Sequence, residues 1–140
     1  MKRWVQREYT RGQDLIEFAL ILPLLLLLLT GIMEFGLAIM AYNTVANAAR
    51  EGARYGIVRV EAADCADDYA EHAAAIEDAA RRLTVGLDQD RLDIVVSCPA
   101  ARTLQVEATY VHQFITAPVL MALGGDGTLP MYTVSTMYLE

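Results

Sequence analysis

Residues 15–42 contain only two charges, Glu17 and Glu34, and residues 24–29 are six consecutive leucines. A bilayer core of about 30 Å is crossed by about 20 helical residues rising about 1.5 Å each. Residues 18–33 run without any charge, and the apolar character persists past Glu34 to Tyr42. A helix that is hydrophobic on all sides can be covered only by a large protein or by lipid. The chain has 140 residues, and the roughly 100 beyond this run are too few to bury it. The sequence therefore predicts one transmembrane helix over residues 13–42. A cleaved secretory signal is the competing reading, since small residues recur at 46–49. The run is too long for a signal core and continues as helix-forming sequence, so retention is expected.

Charge sets the orientation. Residues 1–12 carry Lys2, Arg3, Arg7 and Arg11 against Glu8, a net +3, which leaves −10 on residues 13–140 of a chain whose total is −7. By the positive-inside bias the basic tail, residues 1–12, is cytoplasmic and residues 43–140 form an extracytoplasmic domain. Arg50, Arg54 and Arg59 lie beyond the span but are diluted by Glu51, Glu61, Asp64, Asp67 and Asp68. The expected location is the bacterial cytoplasmic membrane, single-pass. An exterior this acidic excludes nucleic acid, whose phosphates are bound by Lys and Arg.

No helix stop follows Tyr42, so one helix is expected over about residues 13–58, its second half forming the spine of the outer domain. Small residues at Ala49, Gly52, Ala53 and Gly56 give that half a smooth face for close backbone approach. Tyr69, Ala73, Ile76, Ala80 and Leu83 mark the buried stripe of a second helix over residues 67–83, with Asp67 and Asp68 at its positive end. Gly86 is expected to end it. The period then becomes two. Leu92, Ile94, Val96 and Cys98 mark one strand, and Leu104, Val106, Ala108, Tyr110, His112 and Phe114 a second. A short helical link at 118–123 and a hairpin loop at 124–127 precede a third strand bearing Tyr132, Val134, Thr136 and Tyr138. The fold class is α+β: one long N-terminal helix, a second helix and a small three-stranded antiparallel sheet.

Little in this pattern carries reaction chemistry. Cys65 and Cys98 both fall on the oxidising side, where a disulfide is permitted; the alternative is two buried thiols. His72 reads as a solvated surface residue and His112 as a satisfied core residue, and their spacing with the cysteines matches no zinc pattern. There is no catalytic serine set and no phosphate loop. No metal, cofactor or small-molecule substrate is expected, and the chain is not expected to be an enzyme.

The informative positions are Gly12, Gln13, Glu17, Phe18 and Glu34. A charge within a span costs about 2.5–3.5 kcal/mol on insertion scales, which makes it a functional hypothesis by default. Glu17 and Glu34 are separated by about 25 Å of helix, so each can also rest near one interface. Residues 11–18 read Arg-Gly-Gln-Asp-Leu-Ile-Glu-Phe. This resembles the processing site of type IV pilin-like proteins of the tight-adherence (Tad) class. Together with Glu34-Phe35-Gly36 and the run Ala-Ala-Arg-Glu-Gly-Ala-Arg-Tyr-Gly at 48–56, the segment is similar to the TadE-like pseudopilin family over residues 11–56. Beyond that the likeness is one of layout.

The resemblance implies a prepilin peptidase cutting between Gly12 and Gln13, with Glu17 and Phe18 at the fifth and sixth positions of the product. It implies a minor pilin that primes or caps a fibre, with lipid and other membrane-embedded subunits as partners. Major pilins of the class are shorter and have no comparable outer domain, which argues against a shaft role. Cleavage would remove the +3 tail and free an amine at Gln13 that a neighbour's Glu17 could pair with. Pro23 removes one helical hydrogen bond and permits a kink. The sequence contains its leader, so a second expectation stands beside the first. It is an unprocessed single-span accessory subunit of a larger membrane complex, a bioenergetic or photosynthetic assembly among them.

Overall fold

The structure, a computed structural model, describes residues 6–61 and 65–139. Lys2 and Arg3 of the basic tail and Asp64 lie outside the described residues, as does the side chain of Asp67. Helices α1 (Gln6–Gly56), α2 (Cys65–Arg81) and α3 (Ala117–Ala122) accompany strands β1 (Leu92–Ala100), β2 (Thr103–Gln113) and β3 (Thr128–Tyr138). The strands form one antiparallel sheet in the order β1-β2-β3, in register from Leu92 opposite Tyr110 and Tyr110 opposite Met131. The fold is α+β with a long helix, a second helix and a three-stranded sheet, as the sequence pattern predicts.

Two compact units divide the chain, Met1–Gly36 and Leu37–Glu140. The composition boundary at residue 42 falls inside the second unit, because Ala38, Ala41 and Val45 are already part of its core. Within Gly12–Gly56, α1 is long and apolar enough to cross a membrane. It starts at Gln6 rather than 13, since nothing between 6 and 13 stops a helix and a single glycine only weakens one. It ends at Gly56, whose carbonyl accepts from both Arg59 and Val60 N–H, each at 2.9 Å.

Residues 37–56 place Ala38, Ala41, Val45, Ala48, Ala49 and Ala53 on one buried stripe. The small residues leave room for neighbours inside the same chain. A Cβ added at Gly52 would stand 3.1 Å from Ala80 Cβ of α2 and 3.4 Å from Val106 Cγ1 of β2. One added at Gly56 would meet Leu104 Cδ2 and, at 3.0 Å, Ile76 Cδ1. The backbone that approaches the smooth face is thus α2 and the sheet of its own unit. Ile76, Leu104 and Val106 are fully buried at this junction.

The second helix is displaced by two residues from its expected position. It begins at Cys65 and closes at Arg81, where the Thr84 hydroxyl donates to Arg81 O at 2.8 Å and Gln89 Nε2 donates to Thr84 O at 3.1 Å. This capping leaves Leu83 half exposed rather than in the stripe. Gly86 does not end the helix; with φ +95° it makes the following turn, closed by Leu87 N–H to Thr84 O at 3.0 Å.

The third strand lies where the pattern places one, and its pairing decides which face is covered. It begins at Thr128, and Met131 and Ser135 face the core while Tyr132, Val134 and Tyr138 are exposed. Pairing settles the face: Val106 opposes Ser135 and Tyr110 opposes Met131, and adjacent strands share the parity of directly opposed residues. The 124–127 segment follows α3, and it is the whole 114–127 connection that joins β2 to β3. Gly127 has φ +69°, and a Cβ there would lie 2.6 Å from Ala117 Cβ, so only glycine fits.

Candidate assembly site

Gly12, Gln13, Glu17 and Phe18 all lie on α1, and every residue from 12 to 29 is exposed. Gln13 and Glu17 stand four apart and so share a helix face. A Cβ at Gly12 would meet nothing within 4 Å. The Gly12–Gln13 bond is itself helical, and a peptide bond must leave the helix before a protease can seat it in extended form. Glycine eases that unwinding, since it costs about 1 kcal/mol of helix stability relative to alanine. Pro23 lies inside α1, so the Ala19 carbonyl lacks its usual donor. Thr30 Oγ1 donates back to Leu26 O at 2.8 Å.

Glu34 is different. It is 4% exposed and is the one buried carboxylate among the described residues. From sequence it is visible only as a charge within an apolar run.

The structure joins Cys65 to Cys98, with Cα atoms 6.0 Å apart. The bond ties the first residue of α2 to β1, and Cys65 Sγ lies 3.8 Å from Thr103 O at the start of β2. Cys98 is inside β1, where the pairing with β2 becomes irregular between Ser97 and Ala100. That irregularity frees a strand residue to turn toward the helix. The hairpin beyond it carries Arg102 at φ 62°, the only non-glycine with positive φ among the described residues.

Of the two histidines, only His112 departs from its sequence reading. His72 is partly buried, with Nε2 3.9 Å from Asp68 Oδ1. His112 lies against Phe114 edge-on, ring centroids 5.5 Å apart, and near Tyr110 at 6.4 Å. Its buried Nε2 has no hydrogen-bond partner among the described residues, so it is not a satisfied core residue.

Past the apolar run, Arg54 grips Glu51 with two hydrogen bonds of 2.9 and 2.8 Å. That bond holds the Glu51 carboxyl below its ordinary value and raises the guanidinium in return. Arg59 stacks over Tyr55 at 3.5 Å from the ring centroid. On the open face of the sheet, desolvation and then the charge and hydrogen bond of Glu107 raise the Tyr132 hydroxyl above its ordinary value. The sequence missed this open face because its β3 residues are aromatic and β-branched, the composition of a buried one. No group of three or more metal-binding side chains occurs among the described residues.

Residues 12–54 match the family model described as TadE-like protein. Over that segment the chain is similar to the TadE-like family. The match begins at Gly12, includes Gln13, Glu17, Phe18 and Glu34, and ends at Arg54 in the helical spine of the second unit. No curated protein and no solved structure matches the chain.

Proposed function

We propose that this protein is a minor pilin of the TadE-like kind, priming or capping a Tad-type fibre from the cytoplasmic membrane. The observation that carries the reading is the match beginning at Gly12, with Glu17 and Phe18 five and six residues after it on an exposed apolar helix. In this reading the 1–12 tail is cytoplasmic and the Leu37–Glu140 unit is extracytoplasmic, where the Cys65–Cys98 bond is chemically permitted. A prepilin peptidase cuts after Gly12, and the new Gln13 amine of one subunit pairs with Glu17 of its neighbour. Glu17 offsets its cost in lipid only through such a partner.

Glu17→Gln tests the pairing, because it keeps the shape of the side chain and removes the charge. Fibre initiation should be lost while insertion, abundance and the Cys65–Cys98 bond are unchanged. Normal fibres from the Gln variant, in cells that process the wild type, would refute the pairing. The outcome would then favour a resident accessory subunit, whose uncleaved chain has no amine at Gln13.

A further inference from the structure

An antiparallel sheet can pack one face on a core and leave the other to water. Directly opposed residues share a side, so the open face here is made by the odd-numbered residues of β1 and β2 and the even-numbered residues of β3. It exposes Val95, Val111, Tyr132, Val134 and Tyr138. Apolar and aromatic side chains gathered on one surface mark a face that is covered in use. The three strands carry only two charges, Asp93 and Glu107. Both are acidic, both lie on this open face, and neither is in an ion pair among the described residues. Glu107 accepts from Gln105 Nε2 and from the Tyr132 hydroxyl, two neutral donors that leave its charge uncompensated. Carboxylates beside tyrosine rings suit a guanidinium, which binds the one through its N–H fork and lies flat on the other.

The same unit offers such a group on its other side. Arg54, Arg81, Arg82 and Arg91 are each bonded to a carboxylate three or four residues away. Arg50 is not, because positions 46, 47, 53 and 54 hold Ala, Asn, Ala and Arg; it is exposed and has no ion pair among the described residues. Its place is set by the packing of α1 on β2. Gly52 approaches Val106 and Gly56 approaches Leu104, so α1 runs antiparallel to β2 over the covered face. Arg50 stands two residues before Gly52, which turns it about 200° around the helix, away from the sheet, and moves it about 3 Å along the axis. On β2 that step is one residue, from Val106 to Glu107. Arg50 and Glu107 therefore lie at one level on opposite sides of the unit. We propose that the open sheet face of one copy docks on the outer side of α1 in a second copy, with Glu107 receiving Arg50 beside the Tyr132 ring. A shift of one copy along the sheet normal brings the pair together. The contact is heterologous, so each added copy presents a new open face and the copies extend a row with parallel spines. Two copies meeting sheet to sheet would instead set carboxylates against carboxylates, which charge disfavours. Every group involved belongs to the Leu37–Glu140 unit, so the contact is open to a cleaved and to an uncleaved chain alike.

The full chain, purified and reconstituted in phosphatidylcholine vesicles, carries the photo-cross-linker p-benzoylphenylalanine at position 136, an exposed site on β3 two residues from Val134. Irradiation should join two copies, with the captured peptide lying within residues 43–58 of the second. Glu107→Arg and Arg50→Glu should each lower the yield about tenfold at a fixed lipid-to-protein ratio, and the double variant, which restores opposite charges, should recover it. The intact Cys65–Cys98 bond reports folding in each variant. Capture of β1, β2 or β3 of the second copy would mean that sheet meets sheet and would overturn the inference. So would single reversals that leave the yield unchanged. An absence of cross-links between copies, with the Cys65–Cys98 bond intact, would mean that something other than a second copy covers this face, and would overturn it as well.

Discussion

Reducing the Cys65–Cys98 bond should destabilise the Leu37–Glu140 unit substantially, and the structure sets the size of the effect. The cysteines are 33 positions apart. In the chain-entropy description, closing a loop of that length removes unfolded-state entropy worth about 3.7 kcal/mol at 25 °C. Reduction is a cleaner perturbation than mutation, because both sulfurs remain and the core around buried Cys65 keeps its atoms. With a urea dependence of about 1–3 kcal/mol per molar, the unfolding midpoint should fall by roughly 1–4 M. The assay is urea unfolding of the full chain in detergent micelles, followed by near-ultraviolet dichroism of the tyrosines, with thiol content measured at each point. A midpoint that stays fixed after complete reduction would refute the reasoning. It would mean that α2 and β1 already restrict this loop in the unfolded chain, or that the native protein carries free thiols.

Gly56→Val should destabilise the same unit by about 1–3 kcal/mol through overpacking, since Ile76 and Leu104 are fully buried and cannot yield. Gly31→Val, where an added Cβ meets nothing within 4 Å, should leave that urea midpoint unchanged. Because the Glu51 carboxyl is held below its ordinary 4.5 by Arg54, the pair's contribution is present above that value and is lost as pH falls through the lowered one. Arg54→Gln should therefore flatten part of the acid limb of an unfolding-versus-pH profile; an unchanged limb would show the pair to be silent. Gly12→Val should leave a longer precursor in membranes that process the wild type, read as a mass difference equal to residues 1–12.

Element type was legible wherever one periodicity acted alone. The alternation through Leu104, Val106, Ala108 and Tyr110 marks β2 because one face of that strand is fully covered. Pattern alone does not decide a face where two faces compete. β3 alternates Tyr132, Val134 and Tyr138 against Met131, Ser135 and Met137, and composition favours the wrong set. Only pairing with β2 decides it. Gly52 and Gly56 were legible as a smooth face, but not which backbone lies on it, because small residues permit approach from a neighbouring chain and from the same chain equally. Gly12, Gln13, Glu17 and Phe18 stand out through their order along one helix, which needs no tertiary contact.

The N-terminal residue of the protein isolated from native membranes tests the central claim most directly. Edman sequencing or intact mass, in cells with an active prepilin peptidase, should find a chain that starts at Gln13 and has lost the +3 tail. A chain that keeps Met1 under those conditions would contradict the pilin account and support a subunit that remains in the membrane uncleaved.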